Sequence, residues 1–148
     1  MKIAIGSDHR GYPLKQFLMQ QSYNPTVSFI DVGCHGADSV DYNDYATAVA
    51  RAIKDGSADV GVLICNSGVG ITMAANRYPW VRAALCHNKV LAEQTRQHNN
   101  ANVLAMGTAV VTPEQAAEML QIFVDTPFEG GRHQGRVDKL TNPDDLGK

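Results

Sequence analysis

Five short apolar runs, each followed by a stretch with helical periodicity, narrow what this chain can fold into more than any other feature. The runs lie near Lys2 to Ile5, Val27 to Val32, Asp59 to Cys65, Val81 to Cys86 and Asn102 to Met106, and their length and branched side chains read as buried strands. Between them, Ala46, Val49, Ala50 and Ile53 keep the i, i+3, i+4, i+7 stripe of an amphipathic helix over about 43–54. Ala116, Met119, Leu120 and Phe123 do the same in a last long helix, whose start is marked by Thr112 as N-cap, Pro113 in the first turn and Gln115 completing a capping box. Strands alternating with helices call for right-handed βαβ units. The expected fold class is therefore α/β, a Rossmann-like three-layer α/β/α sandwich around a five-stranded parallel sheet. A chain of 148 residues with 44% hydrophobic content suits one domain, 1–148, with a polar tail from Thr141.

In such a fold, ligands bind beyond the carboxyl ends of the strands. The third run passes there into Cys65-Asn66-Ser67-Gly68-Val69-Gly70 and then a helical pattern. Glycines at 68 and 70 allow a tight turn, and the helix start aims unpaired N–H groups and a positive dipole end at the neighbourhood of Cys65. This arrangement favours a thiolate before proton abstraction next to a carbonyl and the substrate oxyanion that takes over its charge afterwards. The plain alternative for Cys65 is a small buried hydrophobe; the glycine turn favours chemistry. Cys34 and Cys86 have no such turn and read as core. Three cysteines without a Cys-x-x-Cys pair point to reduced thiols, with no metal site and no cofactor indicated.

A net charge of -2 and a pI near 6.2 give no reason to expect a nucleic-acid or membrane surface, so the partner is a small molecule. No leader-like or membrane-spanning stretch is seen, and a cytoplasmic location is the expectation. Gly6-Ser7-Asp8-His9-Arg10-Gly11, after the first strand, falls at the same edge as Cys65, and Asp41-Tyr42 can reach it. His98-Asn99-Asn100 and the run Gly130 to Arg136 fall near the opposite edge. If all serve one site, a symmetric dimer must join the lower edge of one subunit to the upper edge of the other.

Together these segments resemble the ribose-5-phosphate isomerase B family, which includes galactose-6-phosphate and allose-6-phosphate isomerases. The resemblance spans nearly the whole chain. It rests on Ser-Asp-His-x-Gly at 7 to 11, Asp-Tyr at 41 to 42, Cys-x-Ser-Gly-Val-Gly at 65 to 70, Arg-x-His-Asn-x-x-Asn at 96 to 102, and Gly-Gly-Arg-His-x-x-Arg-Val at 130 to 137. It implies metal-independent interconversion of aldose and ketose phosphates through an enediolate, in dimers or tetramers with active sites shared between subunits and the segment from about 132 joining the dimer. By the same resemblance Cys65 is the base, and Ser67 with the backbone of Asn66, Gly68, Val69 and Gly70 stabilises the enediolate. His98 opens the sugar ring, Asn99 binds a hydroxyl or the enediolate, and His9, Arg132 and Arg136 hold the phosphate.

Asp8 resembles a catalytic sugar-hydroxyl ligand that assists ring opening, although it equally suits a helix cap. Tyr42 serves as a pocket wall or as plain packing. His98 suits a helix C-terminus as well, where its charge meets the dipole; the stripe through Leu91 and Thr95 favours function.

Three positions depart from the family pattern: Asn66 in place of glycine, Asn43 in place of proline, and Ala109 where many members carry arginine. The branch with a glutamate base has it at the position of Ile71, which leaves Cys65 as the matching base here. A pentose phosphate leads as substrate, with tetrose 4-phosphate, allose 6-phosphate and galactose 6-phosphate as alternatives. A cysteine phosphatase would need an arginine where Ile71 stands, and a P-loop lysine is missing. A non-catalytic sugar-phosphate-binding subunit is the remaining rival.

Overall fold

The computed structural model describes all 148 residues. In chain order the elements are β1 (Lys2–Ser7), α1 (Tyr12–Gln20), β2 (Ser28–Gly33), α2 (Tyr42–Lys54), β3 (Val60–Cys65), α3 (Val69–Ala75), β4 (Ala83–Leu85), α4 (Lys89–Asn99), β5 (Val103–Gly107), α5 (Pro113–Asp125) and α6 (Gln134–Thr141), with 3-10 turns at Gly131–His133 and Pro143–Asp145. All strand pairs are parallel, in the order β2-β1-β3-β5-β4.

Crossovers of one hand place the helices. A step to one side along the sheet puts its helix on one face, and a step back puts it on the other. Helices α1 and α4 accompany steps toward β2 and back to β5, whereas α2 and α3 accompany steps the other way. The two cores follow this division. Ile3, Ile5, Val62, Ile64, Leu104 and Met106 meet Leu18, Ala92 and the α5 stripe on one face. On the other, Ala4, Leu63, Cys65 and Ala105 meet Val49, Ile71 and Ala75. The period-two alternation along each strand thus sends Cys65 to the face of α2 and α3. Gly61 lets α2 come close there, since a Cβ on it would lie 2.4 Å from Val49.

The expected capping box is present. Gln115 N–H donates to Thr112 Oγ1 at 3.1 Å and Thr112 N–H to Gln115 Oε1 at 2.9 Å. Strand β4 is shorter than the apolar run 81–86. Its entry is held by side chains instead of a strand: Asn76 exchanges two hydrogen bonds with the backbone of Ala83, and Asn102 Oδ1 accepts from Arg82 N–H. The tail from Thr141 turns back, so that Leu140, Pro143 and Leu146 line a cavity of about 660 Å³ with Asn76, Tyr78 and Asn99. This, the largest cavity, lies away from Cys65.

One buried charge was not legible beforehand. Lys15, in α1, is 0% exposed; its ammonium meets Asp31 Oδ1 at 2.5 Å and donates to the Cys34 carbonyl at 2.6 Å. Asp31 also accepts from Gly33 N–H, so this network pins the turn after β2 beside β1. Removing one partner strands the other away from full hydration. Lys15→Ala is expected to lower stability by about 3 kcal/mol in urea unfolding. A loss below about 1 kcal/mol would show that the pair behaves as an exposed surface bridge.

Candidate active site

The chain leaves β1 toward β2 and leaves β3 toward the other side, so the carboxyl ends of β1 and β3 flank a topological switch point. The loops after them are locked together. Asp8 N–H donates to the Ile64 carbonyl at 3.1 Å, and Gly11 lies so close that a Cβ would come within 2.6 Å of that oxygen. Asp8 is buried, and its Oδ1 accepts from Gly11 N–H at 2.9 Å. It thus shapes the turn before α1, whose own N-cap is Gly11.

Cys65 ends β3 and is 5% exposed, with Gly68 N–H donating to its Sγ at 3.1 Å. Gly68 has φ +80°, the left-handed conformation that suits glycine, and packs against Leu85 and the backbone of Met106. Gly70 has a different reason from the tight turn expected of it. Its missing side chain admits the ring of Tyr42, which a Cβ would meet at 2.7 Å. Tyr42 therefore walls the turn from the start of α2. Ser67 is exposed, accepts from Val69 N–H at 3.2 Å and keeps its hydroxyl proton for another acceptor. In the first turn of α3 the N–H groups of Gly70 and Ile71 have no acceptor in the chain. Asn66 and Val69 are exposed on the same turn.

From behind, Thr108 and Ala109 N–H bond the carbonyls of Cys65 and Asn66 at 3.0 Å each. Gly107 has room for no side chain, because a Cβ would lie 2.4 Å from the Ser67 carbonyl carbon. This backing escaped the sequence reading, since Gly107 is 40 residues from Ser67 and nothing local marks it. His9 lies beside this edge, with Val40 N–H donating to its Nδ1 at 3.2 Å.

The second group of residues sits elsewhere. Cys65 pairs with Gly107 at one end of the β3–β5 ladder, while Gly61 pairs with Val103 at the other. Helix α4 ends at that other edge, where Ala101 N–H bonds the Thr95 carbonyl. His98 and Asn99 are thus separated from Cys65 by roughly 13 Å of strand. Thr95 faces inward as expected, but Leu91 is 39% exposed, so the stripe through His98 is only partly buried. Arg132 and Arg136 are both exposed and form no ion pair.

His133, unassigned from sequence, stacks on His98 with ring centroids 4.6 Å apart and planes 18° apart. Glu129 lies next to it, and its carboxylate with the two imidazoles is the one His-Glu-His group close enough to consider for a metal. Nearly parallel rings send their nitrogen lone pairs side by side, so one ring would have to turn before both met a single ion. Burial raises the Cys86 thiol to about 11, in keeping with a core role. No helix is long and apolar enough to cross a membrane.

A parallel α/β protein with a buried thiol and free backbone donors at its switch point has the features of a class suited to small anionic ligands. Comparison with known proteins gives the particular member of that class. The sequence model of the ribose/galactose isomerase family matches residues 3–140, and the chain belongs to that family. It is 42% identical over 140 residues to ribose-5-phosphate isomerase B of Escherichia coli, covering 95% of this chain and 94% of that one. The structure of Clostridium thermocellum ribose-5-phosphate isomerase B superposes with a TM-score of 0.90 at 44% identity, covering 97% of both chains. That of the Thermotoga maritima enzyme superposes at 0.91, with 41% identity over 95% of this chain and 97% of that one. The protein is a sugar phosphate isomerase.

Proposed function

We propose that this isomerase interconverts ribose 5-phosphate and ribulose 5-phosphate without a metal, with Cys65 as the base. The observation that carries the reading is the hydrogen bond from Gly68 N–H to Cys65 Sγ, beside the unpaired N–H groups of Gly70 and Ile71. A thiolate supported there takes the proton from C2 of the open aldose, and the electrons move into an enediolate whose oxygens meet the Ser67 hydroxyl and the loop N–H groups. The O2 hydroxyl proton passes to O1, and the same sulfur returns the carbon-bound proton to C1, which leaves the carbonyl at C2. Asn99 steadies the enediolate or a hydroxyl, Asp8 holds a sugar hydroxyl with its remaining oxygen, and Tyr42 walls the sugar.

His98 opens the sugar ring, and His9, Arg132 and Arg136 hold the phosphate. Two sheet edges cannot close on one small molecule within a subunit, so the reading requires a homodimer with shared sites. The exposed apolar side chains Val69, Met73 and Val110 near the Cys65 turn fit coverage by a second copy, Met73 being 66% exposed.

The test is a panel of tetrose, pentose and hexose phosphates in deuterium oxide with EDTA, followed by NMR. Interconversion of the pentose pair with deuterium entering the reacting carbon is expected. Turnover of a tetrose or hexose pair instead would reassign the substrate, and binding without any exchange would make the chain a non-catalytic subunit.

A further inference from the structure

The stack of His98 on His133 carries an inference that rests on the ring-opening role proposed for His98. The His98 ring is half-buried in the last turn of α4 and makes no hydrogen bond within the chain, so its orientation comes from its neighbour. That neighbour is well fixed. His133 is 6% exposed, its N–H donates to the Gly130 carbonyl at 3.0 Å, and Val137, one turn on, anchors α6 in the interior. The loop before it is clipped to α4 by Glu129 N–H on the Gln97 carbonyl at 3.1 Å.

The His133 Nε2 has no hydrogen-bond partner and lies 3.5 Å from a Glu129 carboxylate oxygen. Burial first, then Arg132, His98 and Arg136, hold the His133 pKa below the usual histidine value, with Glu129 opposing them. At neutral pH the ring is therefore an uncharged aromatic face.

Ring opening needs such a face. His98 accepts the proton of the anomeric hydroxyl, whose O–H electrons become the carbonyl π bond as the bond from C1 to the ring oxygen breaks. The departing pair on that oxygen then takes a proton from His98. Between the two transfers His98 is a cation, and an aromatic ring whose centroid is within 6 Å stabilises a cation. We propose that His133 is the positioning residue for His98: its flat ring fixes the plane of the His98 imidazole and supports the imidazolium formed midway through ring opening.

The two directions of the reaction separate this role from a general structural one. Ribose 5-phosphate is mostly a closed ring, whereas ribulose 5-phosphate, its C5 hydroxyl esterified, cannot close a five-membered ring. Proton exchange at C1 of the ketose therefore needs the base and not the ring opener. In His133→Ala, kcat for ribose 5-phosphate is expected to fall about tenfold, while C1 exchange of ribulose 5-phosphate in deuterium oxide stays within about twofold. His133→Phe restores the flat face and should recover most of the lost kcat.

An equal fall in both reactions would overturn the proposal, since the change would then be structural. Failure of the phenylalanine variant would also overturn it, by showing that the imidazole nitrogens are what matters. An unsubstituted enzyme inactive on both pentose phosphates would instead remove the proposed substrate, and the inference with it.

Discussion

Cys65→Ala is expected to lower interconversion of the pentose phosphates about a thousandfold while sugar-phosphate affinity changes by less than about threefold, the usual signature of a lost general base. The size of the effect follows from the placement of the sulfur. It sits at the end of a fully buried strand, with one N–H aimed at it and the turn behind it clamped by the Thr108 and Ala109 bonds. Asp8 and His9 at this edge have other tasks in the proposed complex: Asp8 Oδ1 shapes the turn through Gly11 N–H and its other oxygen holds a sugar hydroxyl, while His9, whose Nδ1 accepts from Val40 N–H, holds the phosphate. Isothermal titration and deuterium exchange on the same preparation separate binding from chemistry. Cys86→Ala is the control, because its thiol, raised to about 11, stays protonated at neutral pH and faces the core. Deuterium entering the substrate at an undiminished rate in Cys65→Ala would assign the base to another group.

How far the sequence exposed this site depends on the range of the interactions involved. The Thr112 cap and the apolar stripes are local, and they appear where the residue spacing puts them. The strand-to-turn passage at Cys65 is local as well, and its glycines marked it, although the need for Gly70 arises from Tyr42, 28 positions earlier. Position in the chain alone was enough to place His98 and the arginines at the edge away from Cys65. Long-range particulars stayed hidden. Lys15 follows Leu14 on α1 and reads as a solvent-facing charge until Asp31 and the Cys34 carbonyl are seen to enclose it. His133 is one histidine among five until the loop after α5 folds it onto His98. Gly107 looks like an ordinary strand end until Ser67 occupies the space a side chain would need.

The separation of the two residue groups leads to the second large effect. If each site takes Cys65 from one subunit and His98 from its twofold mate, Cys65→Ala and His98→Ala homodimers are each deficient in turning closed-ring ribose 5-phosphate into ketose. A mixed dimer has one doubly defective site and one in which both residues are intact. Random reassociation of equal amounts puts half of the dimers in the mixed form, each with one of two sites working. Mixing the two inactive proteins under conditions that exchange subunits is therefore expected to restore about a quarter of the unsubstituted activity. Covalent cross-linking of each parent dimer before mixing should prevent the recovery. A site contained within one subunit could not behave this way, because every subunit in the mixture lacks one of the two residues. No recovery despite demonstrated exchange would mean that one chain brings Cys65 and His98 together, which would require α4 or the β3 turn to leave the positions described above.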